Sequence, residues 1–223
     1  MFEEEKKNNN KNVIYVSLRN YCITSWLLKS HNLKYESHPY DWMVTCLDNI
    51  IHNLLDDFKE FLNKDNYLHN KKISKGTKNI FYYKNAQELF GIKNLNTVDH
   101  QHHNFLDDEN YNYLQRCVNR FNKLNEYKLI KFIMIQPLYL TNKSINYEKI
   151  NQLYELLINK FGKNIKLFIF NILKKVSKSY KEEKINENLI LFELDTNIIK
   201  GPAGMNYFDK KGINKFINII KKY

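Results

Sequence analysis

Glycine and proline are scarce, six and three in 223 residues, which excludes collagen-like and Gly/Ser-linker architectures. The three cysteines, Cys22, Cys46 and Cys117, are an odd number without a CxxC pair. That argues against a disulfide scaffold and for reduced thiols. No apolar run approaches the roughly 20 residues of a membrane span. The longest, Leu129 to Leu140, is broken by Lys131, Gln136 and Pro137. No GxSxG, HExxH, GxGxxG or Walker pattern occurs, which argues against a serine hydrolase, a zinc protease, a dinucleotide enzyme or an NTPase. The first residues, MFEEEKKNNNK, lack the basic-then-apolar order of a secretory signal, so a cytoplasmic protein is expected (host cytoplasm if the source is viral).

Arginine is nearly absent as well. Lys+Arg total 35 against 24 acidic residues, a net charge of +11, yet only Arg19, Arg116 and Arg120 are Arg. Base-edge readers and bidentate phosphate clamps favour Arg. The abundance of Lys, Asn, Ile, Tyr and Phe follows AT-rich codons, as in a large DNA virus or a protist. The charge is therefore read as a solvated surface, and nucleic acid as a non-specific partner at most. No cofactor and no metal are expected, and the sequence does not give the oligomeric state.

What is present suits one packed domain: 43% hydrophobic and 26% charged residues. Residues 1–11 read as a disordered tail and 12–223 as a single domain. The run Asn12–Ser17 reads as a buried strand, and a helix begins near Ile23. Residues 34–42 read as loop, Thr45–Leu62 as one long amphipathic helix and Asn63–Asn79 as loop. Ile80–Tyr83 reads as a short strand and Ala86–Phe90 as a helical turn. A helix follows over Asp107–Asn125, a strand over Leu129–Gln136, a helix over Tyr147–Phe161, and strands over Ile165–Asn171 and, after a basic linker, Leu189–Leu194. A helix over Asp209–Tyr223 closes the chain. This alternation predicts an α/β fold: a single-domain three-layer sandwich with a mostly parallel sheet flanked by helices.

Cys22 falls where the first strand meets a helix start. Unpaired amides and the helix dipole there favour an anion and lower a thiol pKa. In open α/β sheets ligands bind at the carboxyl ends of the strands. Cys46 and Cys117 read as structural. A base for a thiolate must come from elsewhere in the chain. The loop Asp99-His100-Gln101-His102-His103-Asn104 is the best supplier, although the same cluster could be a solvated loop or, with weak support, a metal site. Pro39-Tyr40-Asp41-Trp42 is the third feature. Asp41 could orient a histidine or cap the helix near Thr45, and Trp42 could wall a pocket.

Ser17-Leu18-x-x-x-Cys22, Pro39-Tyr40-Asp41-Trp42, His103-Asn104-Phe105 and Asn119-Arg120-Phe121 ahead of a strand together resemble the DUF1796 family, described as papain-like cysteine peptidases. The motifs span residues 13 to 136. The resemblance implies Cys22 as nucleophile and His103 as the aligned base. Three departures stand out: Arg19 replaces a glycine, Asn104 replaces an aspartate, and residues 201–209 lack the tryptophans of the family's C-terminal segment.

The leading expectation is a thiol enzyme, a hydrolase or acyltransferase acting on a peptide or acyl donor. Cys22 attacks, His103 or His102 is the base, and Asp41 or Asp107 orients it. Ser17, Arg19, Asn20 and Trp42 are expected on the substrate. The second expectation is a transferase holding a phosphate- or sugar-bearing donor at the 17–22 turn. The third is a binding protein with a degenerate site.

Overall fold

The computed structural model describes residues 12–18, 23–41, 43–69, 76–82, 99–100, 103–137, 146–173, 180–195, 198–200 and 206–223. Four strands, β1 (Val13–Ser17), β6 (Leu129–Pro137), β7 (Ile165–Leu173) and β9 (Leu189–Asp195), lie side by side and parallel. A fifth, β8 (Tyr180–Lys184), pairs antiparallel with β9 at the edge. The order β1-β6-β7-β9-β8 confirms the expected α/β fold.

Parallel strands buried on both faces read as near-continuous apolar runs, and these do. One face carries Val16, Phe132, Met134, Leu167, Ile169 and Leu191. It packs on α2 (Leu47–Leu55), α4 (Asp108–Asn122) and α5 (Tyr147–Phe161) through Ile50, Phe121 and Leu153. The other face carries Ile133, Ile135, Phe168, Phe170 and Phe192. It packs on α1 (Ile23–Ser30) and α6 (Lys210–Lys222) through Leu27, Phe216 and Ile220. Helices on both faces make the three layers.

The structure departs from the sequence reading in four places. The expected helix over Thr45–Leu62 is two: α2, then α3 (Lys59–Leu62). Between them Asp57 and Phe58 take left-handed backbone angles, φ 50° and 64°. The amide of Phe58 closes α2 by donating to the carbonyl of Asn53 at 2.8 Å. The break lets Phe58 enter an aromatic cluster, 5.4 Å from Phe121 and 6.0 Å from Tyr40 between ring centroids. Burial of the whole Phe58 ring offsets the strain at Phe58 itself, and Asp57 is of a residue type that visits this region at lower cost. The expected loop over 63–79 contains β3 (Tyr67–His69) and β4 (Thr77–Asn79). With β2 (Met43–Val44) and β5 (Asp99–His100) they form a small antiparallel sheet, ordered β2-β5-β4-β3. Of the expected strand at 80–83, residues 80–82 are helical. The basic linker before Leu189 contains β8, whose YKEEK sequence is polar because it is an edge. The expected turn at 86–90 and the tail 1–11 lie outside the described residues.

Candidate active site

β1 ends at Ser17, and the ladder continues one residue further, Leu18 donating to the carbonyl of Ile133 at 2.8 Å. This fixes the end of the strand. Arg19, Asn20 and Cys22 follow Leu18 in sequence and, like Trp42 and His102, lie outside the described residues. α1 starts at Ile23, so Cys22 directly precedes the helix in sequence.

Ser17 is buried, and its hydroxyl donates to Asp41 Oδ1. The other oxygen of Asp41 accepts the amide of His38 at 2.7 Å and an ion pair from Lys34 Nζ at 2.8 Å. Neither partner of that pair is accessible: the side chains are 5% and 0% exposed. Lys34 Nζ also lies 3.1 Å from His38 Nδ1. An ammonium can only donate, so Nδ1 is the acceptor and the proton of the neutral ring sits on Nε2. That nitrogen is 3.4 Å from Glu36 Oε1, an ion-pair distance without hydrogen-bond geometry. Tyr127 donates to the same Glu36 oxygen at 3.3 Å, and Arg120 Nη1 donates to the Ser37 carbonyl at 3.1 Å. Residues 34–41 are thus a loop folded around one buried carboxylate and tied to the end of β1. Asp41 does not cap α2, whose N-cap position is Cys46.

Backbone register brings the histidine-rich loop to this place. Met43 pairs with His100 and Val44 with Asp99. Strand β2 begins two residues beyond Asp41, so the paired β5 lies close in sequence to both the 34–41 loop and His103. His103 is half-buried, its ring stacked on Tyr113 at 4.9 Å and on Phe105 at 5.8 Å. His103 Nδ1 lies 3.2 Å from Asn110 Oδ1, and Asn110 Nδ2 is turned to Asp107 Oδ2 at 3.4 Å. The carboxylate fixes which end of the amide faces the ring. Nδ1 then carries the proton and donates, leaving the Nε2 lone pair as the basic position. Asp107 supports this arrangement one step removed, also accepting from Asn104 at 2.9 Å.

His38 and His103 meet at one small cavity of about 10 Å³, lined also by Pro39, Phe105, Tyr113, Leu114 and Cys117. Its walls are mostly apolar. Burial raises the Cys117 thiol above its usual range and pushes the Tyr113 hydroxyl up to about 12. A thiol held protonated is inert, in keeping with a structural Cys117. Cys46 is likewise buried. Among the described residues no group of three or more His, Cys, Asp or Glu is placed to hold a metal ion.

The sequence singled out Ser17, Asp41 and His103 but not Lys34, Glu36, His38 as a network, or Asn110. Lys34 and Glu36 sit in a loop without periodicity, and Asn110 sits in a polar first helical turn. Only tertiary contacts give them roles.

The network predicts acid sensitivity. Burial holds the His38 ring below its ordinary value, outweighing the opposing pull of Glu36 and Asp41, with Lys34 acting in the same direction as burial. The unfolded chain takes up a proton near pH 6.5 that the folded chain refuses until lower pH. Stability therefore falls as pH drops below about 6.5, by at most about 1.4 kcal/mol per pH unit for this proton. The Glu36 carboxyl is held below its usual range, first by its His38 contact, so its share is lost only below about pH 4.3. Urea midpoints at pH 7.5, 6.5 and 5.5 check this. His38→Gln should flatten the decline between 6.5 and 5.5, and an unchanged slope would remove His38 from the account.

Against known proteins, the family model described as "Putative papain-like cysteine peptidase (DUF1796)" matches residues 13–173. No curated protein and no solved structure matches the chain.

Proposed function

Because this chain belongs to the DUF1796 family, we propose that it is a thiol-dependent enzyme working by acyl transfer, with Cys22 as nucleophile and His103 as base. The observation that carries this reading is the His103–Asn110 contact. An imidazole whose Nδ1–H is held by an amide, between two aromatic rings, presents Nε2 in a fixed direction. His102, one residue earlier, is the alternative base.

The steps follow from that assignment. His103 Nε2 takes the Cys22 proton, and the thiolate adds to the acyl carbonyl. Amides at the start of α1 stabilise the oxyanion. The tetrahedral adduct collapses to a thioester as the leaving group takes the proton from the imidazolium. Water, or an amine or hydroxyl acceptor, gives its proton to Nε2 and attacks the thioester, which frees Cys22. Ser17 and Asp41 serve as positioning residues that hold the carboxyl end of β1 and the 38–44 loop. Arg19, Asn20 and Trp42 contact the acyl donor.

One observation favours a second reading, a phosphate- or sugar-bearing donor at the same turn. Thr24 Oγ1 and Ser25 Oγ, in the first turn of α1, are buried without hydrogen-bond partners. Hydroxyls and amides together at a helix start suit phosphate oxygens.

p-Nitrophenyl acetate separates the two. The thiol reading predicts a burst of p-nitrophenolate and an acetyl group found on Cys22 by peptide mass spectrometry. Cys22→Ala loses both, and His103→Ala slows the burst by about 10²-fold or more, the usual worth of general-base catalysis. No acetyl-Cys22, together with a saturable rise in Tm on adding inorganic pyrophosphate, would transfer the function to the second reading.

A further inference from the structure

The closing helix α6, KKGINKFINIIKK, holds five lysines and no acidic residue. Its buried side is Gly212, Phe216, Ile217, Ile219 and Ile220. On the opposite side Lys211, Asn214, Lys215, Asn218 and Lys222 recur at helical spacing and, with Tyr223, line one open groove. Two strands add cations at the Tyr223 end. Lys184 Nζ lies 4.9 Å and Lys166 Nζ 6.0 Å from the Tyr223 ring centre, with Lys222 Nζ at 5.0 Å.

The nearby acids are already engaged. Glu182 accepts the Tyr223 hydroxyl and lies 3.9 Å from Lys184. Asp209 caps the helix, accepting the amide of Gly212 at 2.8 Å. The lysines outnumber these two carboxylates, so the groove is net positive, with carboxamides between the ammonium groups.

We infer that this groove binds the phosphodiester backbone of a single-stranded nucleic acid, without reading its sequence. Charge complementarity sets the class of partner, and three features narrow it. From Lys211 to Lys222 the helix rises about 16 Å, at 1.5 Å per residue. At roughly 3.4 Å per phosphate, the spacing along a duplex strand, that spans about five phosphates, and fewer of a more extended single strand. The Asn carboxamides and the half-exposed Tyr223 ring offer hydrogen bonds and a stacking surface, the usual companions of lysine in single-strand grooves. A lipid surface would be met by exposed apolar side chains, and none of the exposed large hydrophobic residues lies on α6. The absence of Arg from the groove fits backbone attraction rather than base readout. This site is independent of the thiol chemistry.

The test is fluorescence anisotropy of the full chain with fluorescein-labelled dT16 and U16, at 50 and 200 mM salt, beside sedimentation with phosphatidylserine-containing vesicles. The reporter is the triple variant Lys211→Gln, Lys215→Gln, Lys222→Gln, which keeps the helix fold. A charge-matched control, Lys59→Gln, Arg116→Gln, Lys123→Gln, lies on α3, on α4 and at the C-cap of α4, across the sheet. The expected result is saturable binding that weakens with salt. The groove variant should bind at least 10-fold more weakly and lose about 2 from the slope of log K against log salt, at roughly 0.7 per phosphate contact. The control should bind within 3-fold of the parent. Equal loss in both variants would reduce the effect to bulk charge and overturn the site. So would no saturable binding at 50 mM salt, or groove-dependent binding to vesicles but not to oligonucleotides.

Discussion

Asp41→Ala is expected to destabilise the protein by about 3–5 kcal/mol, the usual cost of removing one partner of a buried ion pair. The reason is what it leaves behind. Lys34 Nζ, almost inaccessible, loses its carboxylate and keeps, among the described residues, the Nδ1 of a neutral His38. Ser17 and the His38 amide lose their acceptor at the same time. Asp41→Asn keeps the shape and an acceptor oxygen, so it should cost less, about 1–3 kcal/mol. The double variant Lys34→Met, Asp41→Leu should recover much of the loss, because two apolar side chains leave no stranded charge. Urea unfolding at pH 7.5 measures all three. A cost below about 1 kcal/mol for Asp41→Ala would mean that the pair behaves like an exposed one, and the network would not be what ties the 34–41 loop to β1. The network also has a consequence for chemistry. The Ser17–Asp41 bond holds the end of β1, five residues before Cys22 in sequence, so Asp41→Ala should blunt the reactivity of a thiol it need not touch.

The sheet was legible because parallel strands covered on both faces leave long apolar runs, and LIKFIMIQ, IKLFIFN and LILFEL are such runs. The inward face of α4, with Leu114, Val118 and Phe121, was legible from its period. Other parts were hidden for physical reasons. The break at Asp57–Phe58 is imposed by packing on Tyr40 and Phe121, and an apolar residue at the right spacing gives no warning of it. The strands of the small sheet are two or three residues long, too short for any period. β8 is polar on both sides because it is an edge. In the candidate site, Cys22 and His103 stood out as chemistry-bearing residues at suggestive places. Lys34 did not, since a lysine in a loop is ordinarily solvated. Asn110 looked like one more polar residue in a helix start, and its amide acquires a role only through its contact with His103.

Cys22 is expected to be the one cysteine that reacts in the folded protein. On the proposed pairing, a thiol at a helix start beside an imidazole would have its pKa lowered into the range of about 3.5–7.5. A drop of two units from about 8.5 gives roughly 100-fold more thiolate at pH 6. Cys117, buried and with its thiol raised, and buried Cys46 should react only after unfolding. Asn110→Leu removes the amide that fixes the His103 proton on Nδ1, so it should weaken the imidazole's effect on Cys22 without altering the fold of the sheet.

The most direct measurement is therefore the rate of iodoacetamide alkylation at each cysteine from pH 5 to 10, read by peptide mass spectrometry on the folded chain and on His103→Ala. The account predicts that Cys22 alone reacts, with an apparent pKa well below about 8.5, and that His103→Ala moves it back towards that value. Cys22 staying inert until the protein unfolds, or titrating at or above the ordinary thiol value in the parent chain, would contradict the assignment of Cys22 and His103 as a catalytic pair.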